Sequence, residues 1–280
     1  MLASDFVKRI CMKANKNILS QQWAILPEGA AWVTQAYKAI CGRTDLVAAK
    51  KRPERDIYGQ ELDRMRIESG VGIVPVRGVI LNNADTIDRM FGFVNPQDVA
   101  EDMEAAKNGG AKMIVLDVNS PGGTVAGTPE LAFAVEKMNA DVPVFAYTDS
   151  VMASAAYYLS AGATQIYAAP SATVGSIGVI LEHLDATEYF ANFGLKFDLF
   201  TSGKYKGTGH PGVPLTDEQE SFLQDSVDST ALDFKSFVQL NRDVDDETMQ
   251  GQWWDAKRAM GLGLVDDLKP RLQDVISMFQ

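Results

Sequence analysis

Residues 142–161 have the sequence VPVFAYTDSVMASAAYYLSA, and the rest of the chain is organised around them. The apolar run 142–148 predicts a strand, and the small residues from Ser154 to about Ala161 predict a helix. A ligand can closely approach a serine at such a helix start, where the backbone N–H of Ala155 and the positive end of the helix dipole favour an anion. The alternative from these residues alone is a buried helix start that Ser154 caps.

Predicted strands alternate with predicted helices along most of the chain. The strands are expected at 71–81, 112–118, 142–148, 165–168 and 195–201, and the helices at 96–108, 125–139, 154–161, 182–192, 216–242 and 253–260. This alternation predicts an α/β fold with a mainly parallel sheet and flanking helices. Residues 82–95 are expected to form a loop that exposes Phe91 and Phe93 as candidate contacts.

A change of composition near Ser69 divides the chain into two predicted parts. Residues 1–68 are charged and helical in pattern, with a predicted helix at 29–40, and form an N-terminal arm. Residues 69–280 form the second predicted part, a single large domain. The whole chain is long enough for a large core.

Composition excludes several classes of protein. The net charge of −11 argues against general nucleic-acid binding and against adhesion to an anionic membrane. The chain has only two cysteines, Cys11 and Cys41, which argues against a disulfide framework and fits a reducing compartment. No signal peptide and no transmembrane run is visible, so a cytoplasmic protein without a membrane anchor is expected.

Three loops follow predicted strands. In parallel sheets, ligand-binding and catalytic residues usually lie in such loops, beyond the carboxyl ends of the strands. The three loops are the Ser-Pro-Gly-Gly loop at 120–123, the Ser154 turn, and the loop 202–207. Glycine lets backbone N–H groups approach a ligand closely. A phosphate cradle is disfavoured because neither a Walker loop nor a G-x-G-x-x-G spacing is present.

These loops could carry acyl transfer, which needs a nucleophile, a base and two oxyanion donors. Ser154 can supply the nucleophile, and Gly122 and Ala155 can supply backbone N–H groups. Histidine is the usual base, and the chain has only His183 and His210. His183 fits a helix start and His210 fits an exposed loop, although His210 stays open as a base. A lysine can replace them if its amine is neutral, which an apolar and water-poor setting favours.

Five short motifs resemble the signal peptide peptidase A family of serine peptidases when they are taken in order. They are NSPGG from Asn119, ASAAYY from Ala153, GSIGV from Gly175, SGKYK from Ser202 and GLGLVD from Gly261. The resemblance implies a ClpP/crotonase-like fold and a Ser/Lys dyad that forms an acyl-enzyme. By position, Ser154 resembles the nucleophile and Lys206, rather than Lys204, the general base. Ser176 resembles a residue that orients the lysine, and Gly122 and Ala155 resemble the oxyanion donors.

The segment QWAILPE, residues 22–28, is similar to the opening of phage and prophage head-maturation members of this family. That resemblance implies protein substrates (capsid, portal or scaffold proteins), a homo-oligomeric ring and a location in the bacterial cytoplasm or inside a phage procapsid. It implies no cofactor and no metal. The alternatives are a cytosolic signal-peptide-peptidase-like protease of the host, a crotonase-like acyl-CoA enzyme, and an inactive scaffold. One departure is that Ala155 and Ala156 replace the family's commoner glycines after the serine.

Overall fold

The computed structural model describes residues 23–25, 52–56 and 58–279. Its strands are β1 (Trp23–Ile25), β2 (Arg66–Glu68), β3 (Val71–Arg77), β4 (Met113–Asn119), β5 (Gly122–Thr124), β6 (Val144–Thr148), β7 (Val151–Ala153), β8 (Gln165–Ala168), β9 (Thr173–Gly175), β10 (Trp253–Asp255) and β11 (Asp267–Leu268). Its α-helices are α1 (Thr86–Met90), α2 (Pro96–Asn108), α3 (Thr128–Asp141), α4 (Ala155–Ala161), α5 (Thr187–Asn192), α6 (Asp217–Asn241), α7 (Ala256–Gly261) and α8 (Leu272–Ile276). Short 3-10 turns lie at Asp246–Thr248 and Ser277–Phe279.

The main sheet has six strands in the order β11-β8-β6-β4-β3-β2. Only the β2–β3 pair is antiparallel, and every other neighbouring pair in this sheet is parallel. Helices α2 and α3 each follow one strand and precede the next parallel strand, which is the usual way to connect parallel neighbours. The expected α/β fold with a mainly parallel sheet and flanking helices is confirmed.

The central strand β4 is buried because both faces of the sheet are covered. Its residues from Ile114 to Val118 are all buried, as expected of an apolar strand in a parallel sheet. One face packs into a large core with helices α2, α3, α4 and α6. The opposite face packs into a smaller core in which Phe145 and Tyr167 meet Val275 and Ile276 of α8.

A second, smaller sheet lies beyond the carboxyl ends of the main strands and carries the candidate site. Its order is β10-β9-β7, with β9 parallel to β7 and antiparallel to β10. Ser120, at the end of β4, forms a bridge to Met152 in β7. Separately, β1 pairs antiparallel with β5. The loops that follow β4 and β6 are therefore held side by side.

Two helices begin and end where their sequences predict. The side chain of Asn95 accepts a hydrogen bond from the N–H of Gln97, Pro96 occupies the first turn, and Gly109 ends α2. Thr216 and Gln219 form the predicted capping box at the start of α6. These termini are fixed by local chemistry, so their bounds could be predicted.

Four expectations are wrong in detail. Residues 195–201 form no strand. Helix α5 begins at Thr187 rather than near 182, and residues 253–255 form β10 before α7 begins. The predicted loop 82–95 contains α1, and Phe91 and Phe93 are buried rather than exposed, so they offer no free contact surface.

The described part of the N-terminal region contacts the rest of the chain. The guanidinium of Arg52 donates two hydrogen bonds of 2.8 Å to the carboxylate of Asp102 in α2. The predicted helix 29–40, Cys11 and Cys41 lie outside the described residues, and the division into 1–68 and 69–280 stays a prediction. In the part of the chain that the structure describes, no helix is both long and apolar enough to cross a membrane.

Candidate active site

Ser154 sits in an unusual backbone conformation at the junction of β7 and α4. Its φ is 54° and its ψ is −121°, a conformation that residues with a side chain rarely adopt. Its N–H donates a 2.8 Å hydrogen bond to the carbonyl of Gly175. The hydroxyl does not cap α4, and its one hydrogen bond in the described chain is a long 3.5 Å contact to the carbonyl of Gly178. The capping alternative is therefore wrong, and the hydroxyl is only weakly engaged.

A backbone donor lies immediately after the serine. Ala155 is the first residue of α4, so its N–H has no partner within the helix. Both Ser154 and Ala155 are almost completely buried, at 1% and 0% exposure. A free N–H beside a weakly bound hydroxyl is the arrangement that can stabilise negative charge on an atom attached to that hydroxyl.

Gly122 lies close to the serine turn because Ser120 is bonded to β7. The N–H of Ser120 donates to the carbonyl of Val151 at 2.8 Å, and the N–H of Ala153 donates to the carbonyl of Ser120 at 3.2 Å. Gly122 has a φ of +105°, and its N–H donates to the hydroxyl of Ser120 at 3.2 Å. Gly122 can serve as an oxyanion donor only by exchanging this partner.

Ser176 lies beside Ser154 across the small sheet. Ala153 is opposite Gly175 in the β7–β9 register, so the two serines that follow them occupy neighbouring positions. Ser176 also has a positive φ, of 52°, and its N–H donates a 2.6 Å hydrogen bond to the carbonyl of Gln252. The structure thus brings together four of the five predicted site residues.

Lys206, the fifth, lies in an exposed turn whose backbone is closed by a 2.9 Å bond from its N–H to the carbonyl of Gly203. Within the described residues its ammonium makes no ion pair and no hydrogen bond, including to Ser154 or Ser176. The other lysine of this loop is occupied, because Lys204 pairs with Glu218 at 3.1 Å. The single chain therefore does not join Lys206 to the serine.

Neither histidine is hydrogen-bonded to Ser154. Nδ1 of His210 accepts a 3.1 Å hydrogen bond from the N–H of Gly212, and its ring packs 5.0 Å from the ring of Phe197. His183 lies just before α5, and its Nε2 has no partner among the described residues. The contacts of His210 are those of a loop-stabilising residue.

A charged cluster fixes the ends of the strands that lead to the site. Arg77 donates hydrogen bonds of 3.0 and 2.8 Å to the carboxylate of Asp117 and reaches Asp149 at 3.4 Å. Burial raises the pKa of Asp117, although the guanidinium of Arg77 acts in the opposite direction. This cluster was missed from sequence, where the one signal was a lone carboxylate within the apolar run 112–118.

The chemistry of the described side chains offers no metal centre. Among them, no group of three or more His, Cys, Asp or Glu residues is arranged to hold a metal ion. The site holds the weakly bonded hydroxyl of Ser154 and the N–H of Ala155, which has no partner among the described residues. It also holds the N–H of Gly122, which donates to the hydroxyl of Ser120.

Comparison with known proteins identifies the family. A sequence profile of peptidase family S49 matches residues 136–279, which is just over half of the chain and includes Ser154, Ser176 and Lys206. A protein of Methanocaldococcus jannaschii named as a protease is 33% identical over 175 residues, covering 61% of this chain and 56% of its own. A protein of Enterococcus faecium named as the signal peptide peptidase SppA is 32% identical, covering 56% and 47%. Capsid assembly protease C of Escherichia phage lambda is 26% identical, covering 72% and 47%.

The chain spans about half the length of these curated relatives. The resemblance to signal peptide peptidase A and to the phage capsid proteases is confirmed. The profile covers the serine turn, both lysines of the 202–207 loop and the C-terminal GLGLVD motif. The chain therefore belongs to peptidase family S49.

Proposed function

We propose that this protein is a serine endopeptidase in which Ser154 is the nucleophile and Lys206 the general base. The observation that carries this proposal is the conformation of Ser154, a buried and non-capping serine at positive φ. Next to it lies the N–H of Ala155, which has no partner among the described residues. Residues held in such sparsely populated conformations cluster at active sites. Membership of a peptidase family supports the same conclusion.

The proposed reaction uses the groups already described. The Oγ of Ser154 attacks the carbonyl carbon of a peptide bond while the neutral amine of Lys206 takes the hydroxyl proton. The N–H groups of Ala155 and Gly122 stabilise the tetrahedral oxyanion, and Ser176 orients the lysine. Lys206 then protonates the leaving amine, and water hydrolyses the acyl-enzyme. Activity should rise toward alkaline pH, because only the unprotonated amine can accept the proton.

The exposed position of Lys206 supports an oligomer in which neighbouring chains complete the site. Residues 180–205 expose large apolar side chains that the other described residues leave uncovered, with Phe200 at 97% exposure. Exposed apolar patches of this kind mark interfaces between proteins. The side chains concerned are Ile180, Leu184, Tyr189, Phe193, Leu195, Phe197, Leu199, Phe200 and Tyr205. We propose that this segment packs on a second copy in a ring and delivers Lys206 to that copy's Ser154.

Mixing two inactive variants tests the dyad and the shared site together. Ser154→Ala and Lys206→Ala should each abolish cleavage of a peptide substrate, and Lys204→Ala is the matched control that should retain it. If the dyad forms between copies, mixing the two inactive proteins should restore about a quarter of the activity, because each junction draws its serine and lysine independently. No recovery after verified subunit exchange would contradict a shared site, and full activity of Lys206→Ala would contradict the dyad.

We further propose that the substrates are capsid, portal or scaffold proteins during phage head maturation. The name of the lambda relative and the resemblance of residues 22–28 to head-maturation proteases support this role. The alternative of a host protease of the signal-peptide-peptidase type is supported by the name of the Enterococcus faecium relative.

Mass spectrometry of products separates these two roles. Purified protein would be incubated with head proteins encoded beside its gene and, separately, with bacterial signal peptides. Cuts in a head protein that disappear in Ser154→Ala support the phage role, whereas cuts in signal peptides alone support the host role. A fluorophosphonate probe that fails to label Ser154 in the assembled protein would indicate the inactive scaffold.

A further inference from the structure

The N-terminal region supplies a strand to the same loop that carries the proposed oxyanion glycine. Residues 23–25 pair antiparallel with β5, with Ala24 opposite Gly123 and Ile25 opposite Gly122. Because the two strands run in opposite directions, β1 approaches Gly122 with its carboxyl end. The carboxyl end of this strand therefore lies opposite the proposed oxyanion donor.

The edge of β5 that pairs with β1 is not the edge that pairs with Ile80. The opposite edge is already used, because the N–H of Ile80 donates to the carbonyl of Gly122 and the N–H of Thr124 donates to the carbonyl of Ile80, both at 2.9 Å. Backbone groups of successive residues in a strand point to opposite sides, so the N–H and C=O of Gly123 face β1. A Cβ on Gly123 would overlap the carbonyl oxygen of Ile80, which requires glycine here.

An extended polypeptide substrate would need this same edge. A peptidase must hold its substrate extended, with the carbonyl to be attacked at the oxyanion donors, and backbone pairing with a strand edge is a common way to hold a peptide. The edge at Gly123 leads directly to Gly122. A substrate segment that runs along it toward Ser154 would follow the path that β1 takes.

We propose that residues 23–25 occupy the peptide-binding edge of β5 as a backbone mimic of the substrate residues that precede the cleaved bond. This inference rests on the proposed function for the identity of the edge. The N-terminal strand then competes in cis with an extended polypeptide, and a substrate gains access only when β1 leaves β5. The pairing uses backbone groups, so the competition holds for substrates of varied sequence.

Peptide binding to an inactive full-length chain tests this inference without relying on catalysis. All proteins would carry Ser154→Ala, and Ala24→Pro would be added because proline has no N–H to donate to Gly123. Ala24→Ser is the matched control, since it keeps the N–H. The probe is a fluorescent synthetic peptide with the sequence of residues 20–28, SQQWAILPE. Ala24→Pro should bind this probe about tenfold more tightly than the other two proteins, which corresponds to about 1.4 kcal/mol.

Hydrogen exchange of the Gly123 amide supplies a second measurement. This amide should be protected in the parent chain and in the Ala24→Ser control, exchange about tenfold faster in Ala24→Pro, and regain protection when the probe is added. Equal probe affinity in all three proteins, or an unprotected Gly123 amide in the parent chain, would overturn the inference. If Ala24→Pro does not fold, the protection of Gly123 in the parent still decides it. If the Ser154→Ala proteins bind the probe as expected but the chain with Ser154 intact cleaves no peptide, the result counts against the proposed function alone.

Discussion

Replacing Gly175 with alanine should damage both the stability and the proposed catalytic site. Gly175 has a φ of +122°, and a Cβ would lie 2.9 Å from the carbonyl oxygen of Gln252. Strain in such a conformation costs about 1–3 kcal/mol, and the contact with a backbone atom adds to it. We expect a loss of about 2 kcal/mol or more in the free energy of unfolding, which lowers Tm by roughly 4–8 °C.

The same substitution should reduce turnover, because Gly175 positions the serine. Its carbonyl accepts the 2.8 Å hydrogen bond from the N–H of Ser154, and the Gln252 carbonyl that Cβ would displace holds the N–H of Ser176. Small displacements of reacting groups cost large factors in rate. We expect kcat to fall by about tenfold or more in the chain that remains folded.

Denaturant unfolding and peptide hydrolysis, both measured below Tm, check the two effects. Gly261→Ala is the matched control: a Cβ there meets nothing within 4 Å, and its φ lies outside the positive range that strains other residues. That variant should match the wild type in both measurements. If Gly175→Ala unfolds like the wild type, the argument from backbone strain is wrong. If it is destabilised but turns over normally, Gly175 does not position Ser154.

Three further substitutions test the packing and the electrostatics of the fold by denaturant unfolding. Phe234→Ala should cost about 3–5 kcal/mol, because the buried Phe234 ring stacks on Tyr158 at 4.5 Å and ties α6 to α4. Tyr157→Phe should cost about 1–2 kcal/mol, because it leaves the Leu264 carbonyl without its 3.1 Å donor. Burial raises the pKa of Asp117 above 3.8, so the folded state holds this proton more tightly than the unfolded state. The free energy of unfolding of the wild type, relative to that of Asp117→Asn, should therefore fall as pH rises above about 3.8. A rise of the wild type relative to Asp117→Asn over this window would contradict the raised pKa.

Sequence patterns predicted elements whose determinants are local. The strand 165–168 and the helix that begins at Pro96 have the predicted bounds, because alternation, capping and proline geometry act within a few residues. Residues 195–201 have a comparable strand pattern but form none, since a strand needs a partner that a local pattern cannot supply. The prediction that Phe91 and Phe93 are exposed was wrong for a similar reason, because burial depends on distant residues that cover a side chain.

The candidate site follows the same division. The loop positions of Ser154 and Gly122 were predictable from the motifs, and the structure brings both residues to one edge, while their catalytic roles stay predictions. The charged cluster around Arg77 was not predictable, because its three members come from separate strands and loops that only the folded sheet joins. The pairing of β1 with β5 was also beyond sequence analysis, since it joins segments almost a hundred residues apart without any side-chain pattern.

Two neighbouring serines with positive φ need an explanation beyond stability. Ser154 and Ser176 follow residues paired in the β7–β9 register, and each has a conformation that costs about 1–3 kcal/mol. Glycine would adopt either conformation without that cost, so stability alone would favour glycine at both positions. A hydroxyl is retained at each, and that of Ser154 does not cap the helix it precedes. The cost is explained if, as proposed, both hydroxyls face a lysine that a neighbouring chain supplies.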